Sequence, residues 1–99
     1  MGIDKARLQA DAWIGDAILL LWARLHILRA DGRLDGPKSI RMTSNQFLSA
    51  FGEPTAVEAE IGRIYLRDGE RAALDWIESN IAPLFAKQEE NRLRRGRTE

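Results

Sequence analysis

From Asp11 to Leu28 the chain reads DAWIGDAILLLWARLHIL. Trp13, Ala17, Leu20, Leu21, Leu25 and Leu28 recur at steps of three and four, a period that predicts a core helix with these residues as its apolar stripe. Asp4 is placed as its N-cap, with Ile3 as a staple, and Asp31-Gly32 ends it, giving a helix over 5–30. The stretch ADGRLDGPKS, with two glycines and Pro37, reads as a loop. Thr43 to Gln46 has the form of a capping box, hydroxyl first and glutamine three later. It predicts a short helix that buries Phe47, Leu48 and Phe51 and stops at Gly52. Pro54 suits the first turn of the next helix, whose stripe is Val57, Ile61, Ile64 and Tyr65 and whose end is Arg67-Asp68-Gly69. A fourth helix from near Glu70 buries Ala73, Leu74, Trp76, Ile77 and Ile81, with Pro83 placed to kink or restart it. From Lys87 onward the chain is charged and is expected to fray. No segment alternates with period two long enough to predict a strand. The expectation is a single all-α domain over 1–99, with one long central helix and three shorter ones.

Two acidic residues interrupt this apolar pattern. Asp16 lies three after Trp13 and four before Leu20, which places it along the predicted stripe. A buried carboxylate costs several kcal/mol, by rough reckoning, unless something pairs with it or binds it. Its neighbour Gly15 is the residue a helix uses where another backbone comes close. Glu58 borders the stripe of the later helix, and Gly62 follows four residues on. If the two glycines mark a helix crossing, the carboxylates converge, and two close carboxylates do not both stay ionised without a cation. Oxygen ligands of this kind suit Mg²⁺ or Mn²⁺, which can assist water attack on a phosphodiester. The bland alternative stays open at this point: Asp16 caps a helix or pairs with Arg24 or Arg41, and Glu58 faces solvent.

Composition narrows the classes. The 99 residues carry no cysteine and one histidine, His26. Disulfides, thiolate zinc sites, cysteine nucleophiles and multi-histidine metal sites are therefore excluded, and a reducing cytoplasm is the expected compartment. The apolar run Ile18–Trp22 is too short to span a bilayer, and no signal peptide is seen before it, so no membrane partner is expected. Formal net charge is zero, so any surface for nucleic acid is local. Arg24, Arg29, Arg33, Lys38 and Arg41 form a loosely basic middle section. Arg92, Arg94, Arg95 and Arg97 give the tail a modest excess over Glu89, Glu90 and Glu99. Asp31 and Asp35 dilute the middle section, which reads more readily as a solvated surface than as a phosphate contact, and no RNA-binding residue is assigned. Trp22 and Trp76 read as core or dimer-interface anchors.

Three blocks resemble the ribonuclease III domain family. Trp13-Ile14-Gly15-Asp16-Ala17 resembles the Phe-Leu-Gly-Asp-Ala core of that family's signature helix. Thr43-Ser44-Asn45 resembles its Val-Ser-Asn segment. Glu58 to Gly69, EAEIGRIYLRDG, resembles its Glu-Ala-Leu-Ile-Gly-Ala-Ile-Tyr-Leu-Asp-x-Gly helix and is the most specific of the three. The blocks follow the family's order. The resemblance implies a shortened, all-α ribonuclease III-like domain that cuts double-stranded or structured RNA with Mg²⁺ or Mn²⁺ and acts as a homodimer. It implies catalytic and metal-binding roles for Asp16 and Glu58, with Asn45 and Ser44 as supporting residues or, more simply, as helix caps.

Departures from the family pattern keep a second reading in view. Ala12 and Thr55 stand where the family has two further acids, a loss that resembles the reduced set of Mini-ribonuclease III. Only Phe51 to Pro54 join the second and third blocks, where the family has a long insertion that helps grip RNA. Glu60 and Arg63 put charges where the family is apolar. The alternative is a catalytically inactive relative, an RNA- or ribosome-associated dimerisation module; a helical dimerisation module that binds no nucleic acid is a third.

Overall fold

The computed structural model describes residues 4–97, all but the side chain of Arg97. Ile3, that side chain and Glu99 lie outside the described residues. Every element among the described residues is a helix: α1 (Lys5–Asp31), α2 (Gly36–Thr43), α3 (Asn45–Leu48), α4 (Pro54–Asp68), α5 (Glu70–Asn80) and α6 (Ala82–Arg97). The all-α expectation holds, with six helices rather than four.

The helix ends follow from local chemistry. Asp4 caps α1, accepting from the Ala6 N–H, and Gly32 at φ 69° closes it by donating back to the Leu28 carbonyl. Inside the stretch expected to be loop, the Asp35 carboxylate accepts the Lys38 N–H and Pro37 sits in the first turn, so 36–43 is helical. The loop reading gave the glycine and proline too much weight, since both also mark a helix start. The cap of α3 falls one residue later than the box predicts. Ser44 Oγ accepts the Phe47 N–H at 3.1 Å, while Thr43 Oγ1 donates to the Ser39 carbonyl. Glu53 caps α4 with both carboxylate oxygens, accepting from Thr55 N and Ala56 N. The tail expected to fray is helical to Arg97, laced by Arg92–Glu89 and Arg94–Glu90 pairs at helical spacing.

The long α1 is the central strut, and its most extensive partner is α4. Leu19, Met42, Leu48, Ile61, Ile77 and Ile81 form the fully buried centre, with Trp22, Ile27, Phe47, Val57, Ile64, Ala73 and Phe85 around it. The face that α1 buries is not the stripe read from the sequence. Ala12, Gly15, Ile18, Leu19, Trp22, Ala23 and Ile27 are buried, whereas Trp13 is 79% exposed and Leu21 and Leu28 also face outward. Because α1 is apolar on nearly all sides, a three-and-four period fits two stripes. The stripe with small residues wins, because only Ala12, Gly15 and Ala23 let another helix approach closely. Phe51, expected to be buried, is partly exposed and meets Trp76 edge-on at 5.9 Å.

Candidate metal centre

The crossing of α1 and α4 is a contact of backbones. A Cβ on Gly15 would overlap the Glu58 carbonyl oxygen, and one on Gly62 would overlap the Asp11 carbonyl oxygen. The helices therefore cross at these two glycines, as the sequence predicts, and they run in opposite senses there.

The two helices bring matching sequences to this point. One carries Asp11-x-x-x-Gly15-Asp16 and the other Glu58-x-x-x-Gly62-Arg63. Each acid lies four before its glycine, and a second charged residue lies one after. Antiparallel crossing pairs the residue after one glycine with the acid before the other. On one side Arg63 faces Asp11, 3.8 Å apart, and Arg7 adds a second guanidinium at 4.0 Å. On the other side Asp16 faces Glu58 within hydrogen-bonding reach, and both are acids.

This arrangement corrects where the buried charge lies. Asp16 is exposed, at the edge of the outward-facing stripe of α1. The buried carboxylate of α1 is Asp11, with 6% of its side chain accessible, and its cost is offset by Arg63 and Arg7. The α1 stripe assigned from the sequence was rotated, and Asp16 moved outward with it. Glu58 is half-buried. Burial, then the hydrogen bond and the like charge of Asp16, and then the charge of Glu53, push its carboxyl up from 4.5 to about 7.

No cation answers this charge. Neither Asp16 nor Glu58 has an ion pair among the described residues, and Arg41, one proposed partner for Asp16, is bound to Glu89 instead. Glu53 adds field, but its oxygens are engaged by the first N–H groups of α4. Among the described residues no group of three His, Asp or Glu converges as a ready ligand set. The site is a pair of carboxylates, which suits an oxygen-seeking divalent ion that keeps much of its water.

The remaining candidate residues fall elsewhere. Ser44 caps α3, Asn45 is exposed at its first position, and neither hydrogen-bonds to Asp16 or Glu58. Ala12 is buried against α4, and Thr55 lies in the first turn of α4. Sequence reasoning missed Asp11 and Glu53. The repeated acid-x-x-x-glycine spacing would have identified Asp11 and shown which face of α1 meets α4.

No family model, curated protein or solved structure matches this chain. Among the described residues no helix is long and apolar enough to cross a membrane.

Proposed function

We propose that the chain is a divalent-metal-dependent endoribonuclease of ribonuclease III type, acting on double-stranded RNA as a homodimer. One observation carries this reading. At a crossing where one side pairs acid with arginine, the equivalent other side pairs acid with acid, and no cation neutralises it. Fold stability alone does not favour such a contact, because burial, and then Asp16 beside it, raise the Glu58 carboxyl to about 7. A bound cation removes the conflict. Asp16 and Glu58 are the residues that would hold Mg²⁺ or Mn²⁺, whose chemistry when bound is Lewis-acid assistance to phosphodiester hydrolysis.

Asp16 supplies a carboxylate open to solvent and so to a long substrate. Glu58, half-buried with its backbone locked against Gly15, supplies a carboxylate whose position is fixed by the crossing. The outward stripe of α1 beside Asp16 supplies the surface for a second copy. Trp13, Leu21 and Leu28 lie on it and are exposed in the single chain.

The absence of a third acidic ligand among the described residues favours the second reading, an RNA-associated dimer without chemistry. One experiment separates the two: incubation of the pure protein with long double-stranded RNA in Mg²⁺, in Mn²⁺ and in chelator. The enzyme reading expects metal-dependent cleavage by the wild type that both Asp16→Asn and Glu58→Gln abolish. RNA binding without cleavage in either metal would overturn it in favour of the second.

A further inference from the structure

Away from the carboxylate pair, a cleft of about 440 Å³ opens between the α2–α3 corner and α6. It falls within the roughly 300–1,000 Å³ of clefts that hold small molecules. α6 contributes Phe85, Gln88, Glu89, Arg92 and Arg95 at steps of three and four, so one helical face lines it, with Asn91 at the border. Across from them stand Arg41 at the end of α2, and Ser44, Gln46 and Phe47 around the start of α3.

The charged groups are built around one carboxylate. Glu89 accepts from Nε and Nη2 of Arg41, both at 3.2 Å, and from Nε and Nη2 of Arg92 at 3.2 and 3.3 Å. Burial works to raise the Glu89 carboxyl, and these hydrogen bonds outweigh it, so the group is held below 4.5 and stays charged. The lining thus sets the two guanidiniums of Arg41 and Arg92 around one carboxylate. The Arg41–Glu89 pair is enough to pin α6 to α2. Arg92 lies on the same helix as Glu89 and is half-exposed, so it adds little to that pinning while placing a second fork beside the first.

We infer that this cleft binds a phosphate monoester of mononucleotide size, with its phosphate on the Arg41 and Arg92 guanidiniums. Each guanidinium has five N–H donors and spends two groups on Glu89, which leaves further donors on both for phosphate oxygens. Glu89 fixes the two forks before any ligand arrives, which lowers the ordering cost of binding. The amides of Gln46, Gln88 and Asn91 bring donors and acceptors together, as a sugar or base edge requires and a bare anion does not. Phe47 and Phe85, packed edge-to-face at 5.6 Å, close the floor with apolar surface. The inference stands apart from the metal reading, since none of these residues belongs to the carboxylate pair.

The test is calorimetric titration of the full chain in chelator, so that no divalent ion bridges a phosphate to Asp16 or Glu58. The probes are inorganic phosphate, adenosine 5′-monophosphate and adenosine. The monophosphate is expected to bind at least about tenfold more tightly than phosphate, and adenosine not measurably below about 10 mM. Arg92→Gln should weaken both phosphate and monophosphate by about tenfold or more. Asn91→Leu, an exposed change that leaves every ion pair in place, should weaken the monophosphate and leave phosphate unchanged; it decides the matter if Arg92→Gln loses helicity. A single-stranded RNA with a 5′-phosphate, compared with its 5′-hydroxyl form, separates the sources. Preference for the phosphorylated strand assigns the ligand to an RNA end, and no preference assigns it to a free nucleotide; both fit the cleft. Equal binding of adenosine and its monophosphate, no binding of the monophosphate below about 10 mM, or affinity untouched by both variants would overturn the inference.

Discussion

At Glu58 a proton and the proposed metal ion would compete for one carboxylate, and this gives the sharpest expectations for single residues. Because the Glu58 carboxyl is raised from 4.5 to about 7, the folded chain holds a proton that the unfolded chain has released across that interval. Its contribution to stability is therefore fully present below pH 4.5 and is lost as pH rises through 7. Urea midpoints at pH 5 and pH 8 should show wild type losing stability relative to Glu58→Gln, whose neutral amide does not titrate. Mg²⁺ held by Glu58 would compete with that same proton, so the proposed metal affinity should climb through pH 7 and level off above it. A flat affinity from pH 5.5 to 8.5 would count against Glu58 as a ligand. Asp16→Asn removes the like charge from beside Glu58. At pH 8 without metal it should leave stability level or raise it by up to about 1 kcal/mol, the scale of a half-exposed charge pair. Mg²⁺ or Mn²⁺ is expected to raise the melting temperature of the wild type and not of Asp16→Asn, since an ion bound only by the folded state stabilises it. A sharp loss of stability on Asp16→Asn would mean that Asp16 supports the fold instead.

Among the elements, the crossing of α1 and α4 decides most of the architecture, and two glycines decide the crossing. At an exposed helical position Gly→Ala stabilises by up to about 1 kcal/mol through propensity alone. Gly96, exposed in α6 with nothing near its missing Cβ, should follow that rule. Gly15→Ala and Gly62→Ala should reverse the sign, because the new methyl meets a carbonyl oxygen of the facing helix. Separating the backbones should cost about 2–3 kcal/mol or more, as overpacking in a tight core does. Thermal melts of the three variants test the contrast. The glycine crossing was legible in the sequence because a glycine inside a helix has few other uses. The buried face of α1 was not, because a helix apolar on all sides offers two stripes at one period, and size rather than hydropathy chose between them. The four-helix count fell two short: α6 restarts beside Pro83, where the sequence left a restart open, and α2 was hidden for a related reason. Gly36-Pro37 reads as a loop until Asp35 is recognised as the cap that makes Pro37 a first-turn residue. At the candidate site the convergence of Asp16 with Glu58 followed from the glycines. Asp16 was expected to be buried because of the misassigned stripe, and Glu53 was missed because, although Pro54 marks where α4 begins, the residue before it was not recognised as the cap.

The whole molecule is longer than its size requires. Its extents are 52 × 27 × 21 Å and its radius of gyration is 14.4 Å, against about 13 Å for a compact chain of this length. α1 leaves Trp13, Leu21 and Leu28 on an outer stripe, with Leu34 and Ile40 exposed beyond its end. Burying that stripe against a second copy joins surfaces that are already straight and apolar. A stable homodimer covers about 800 Å² on each partner, and a helix of 27 residues, about 40 Å long, offers such a surface. Light scattering should therefore give twice the 11.2 kDa chain mass at about 10 µM. Trp13→Glu is the decisive variant. Trp13 is 79% exposed, so the change should leave the helical spectrum and the monomer fold intact while halving the mass, because a carboxylate buried in an apolar interface has nothing to pair with. Its neighbour Asp16 lies at the edge of that stripe, so RNA cleavage by Trp13→Glu should fall along with the mass. A wild type that stays monomeric at that concentration would remove the dimer, and a Trp13→Glu monomer that cuts RNA as well as wild type would show that each carboxylate pair works alone.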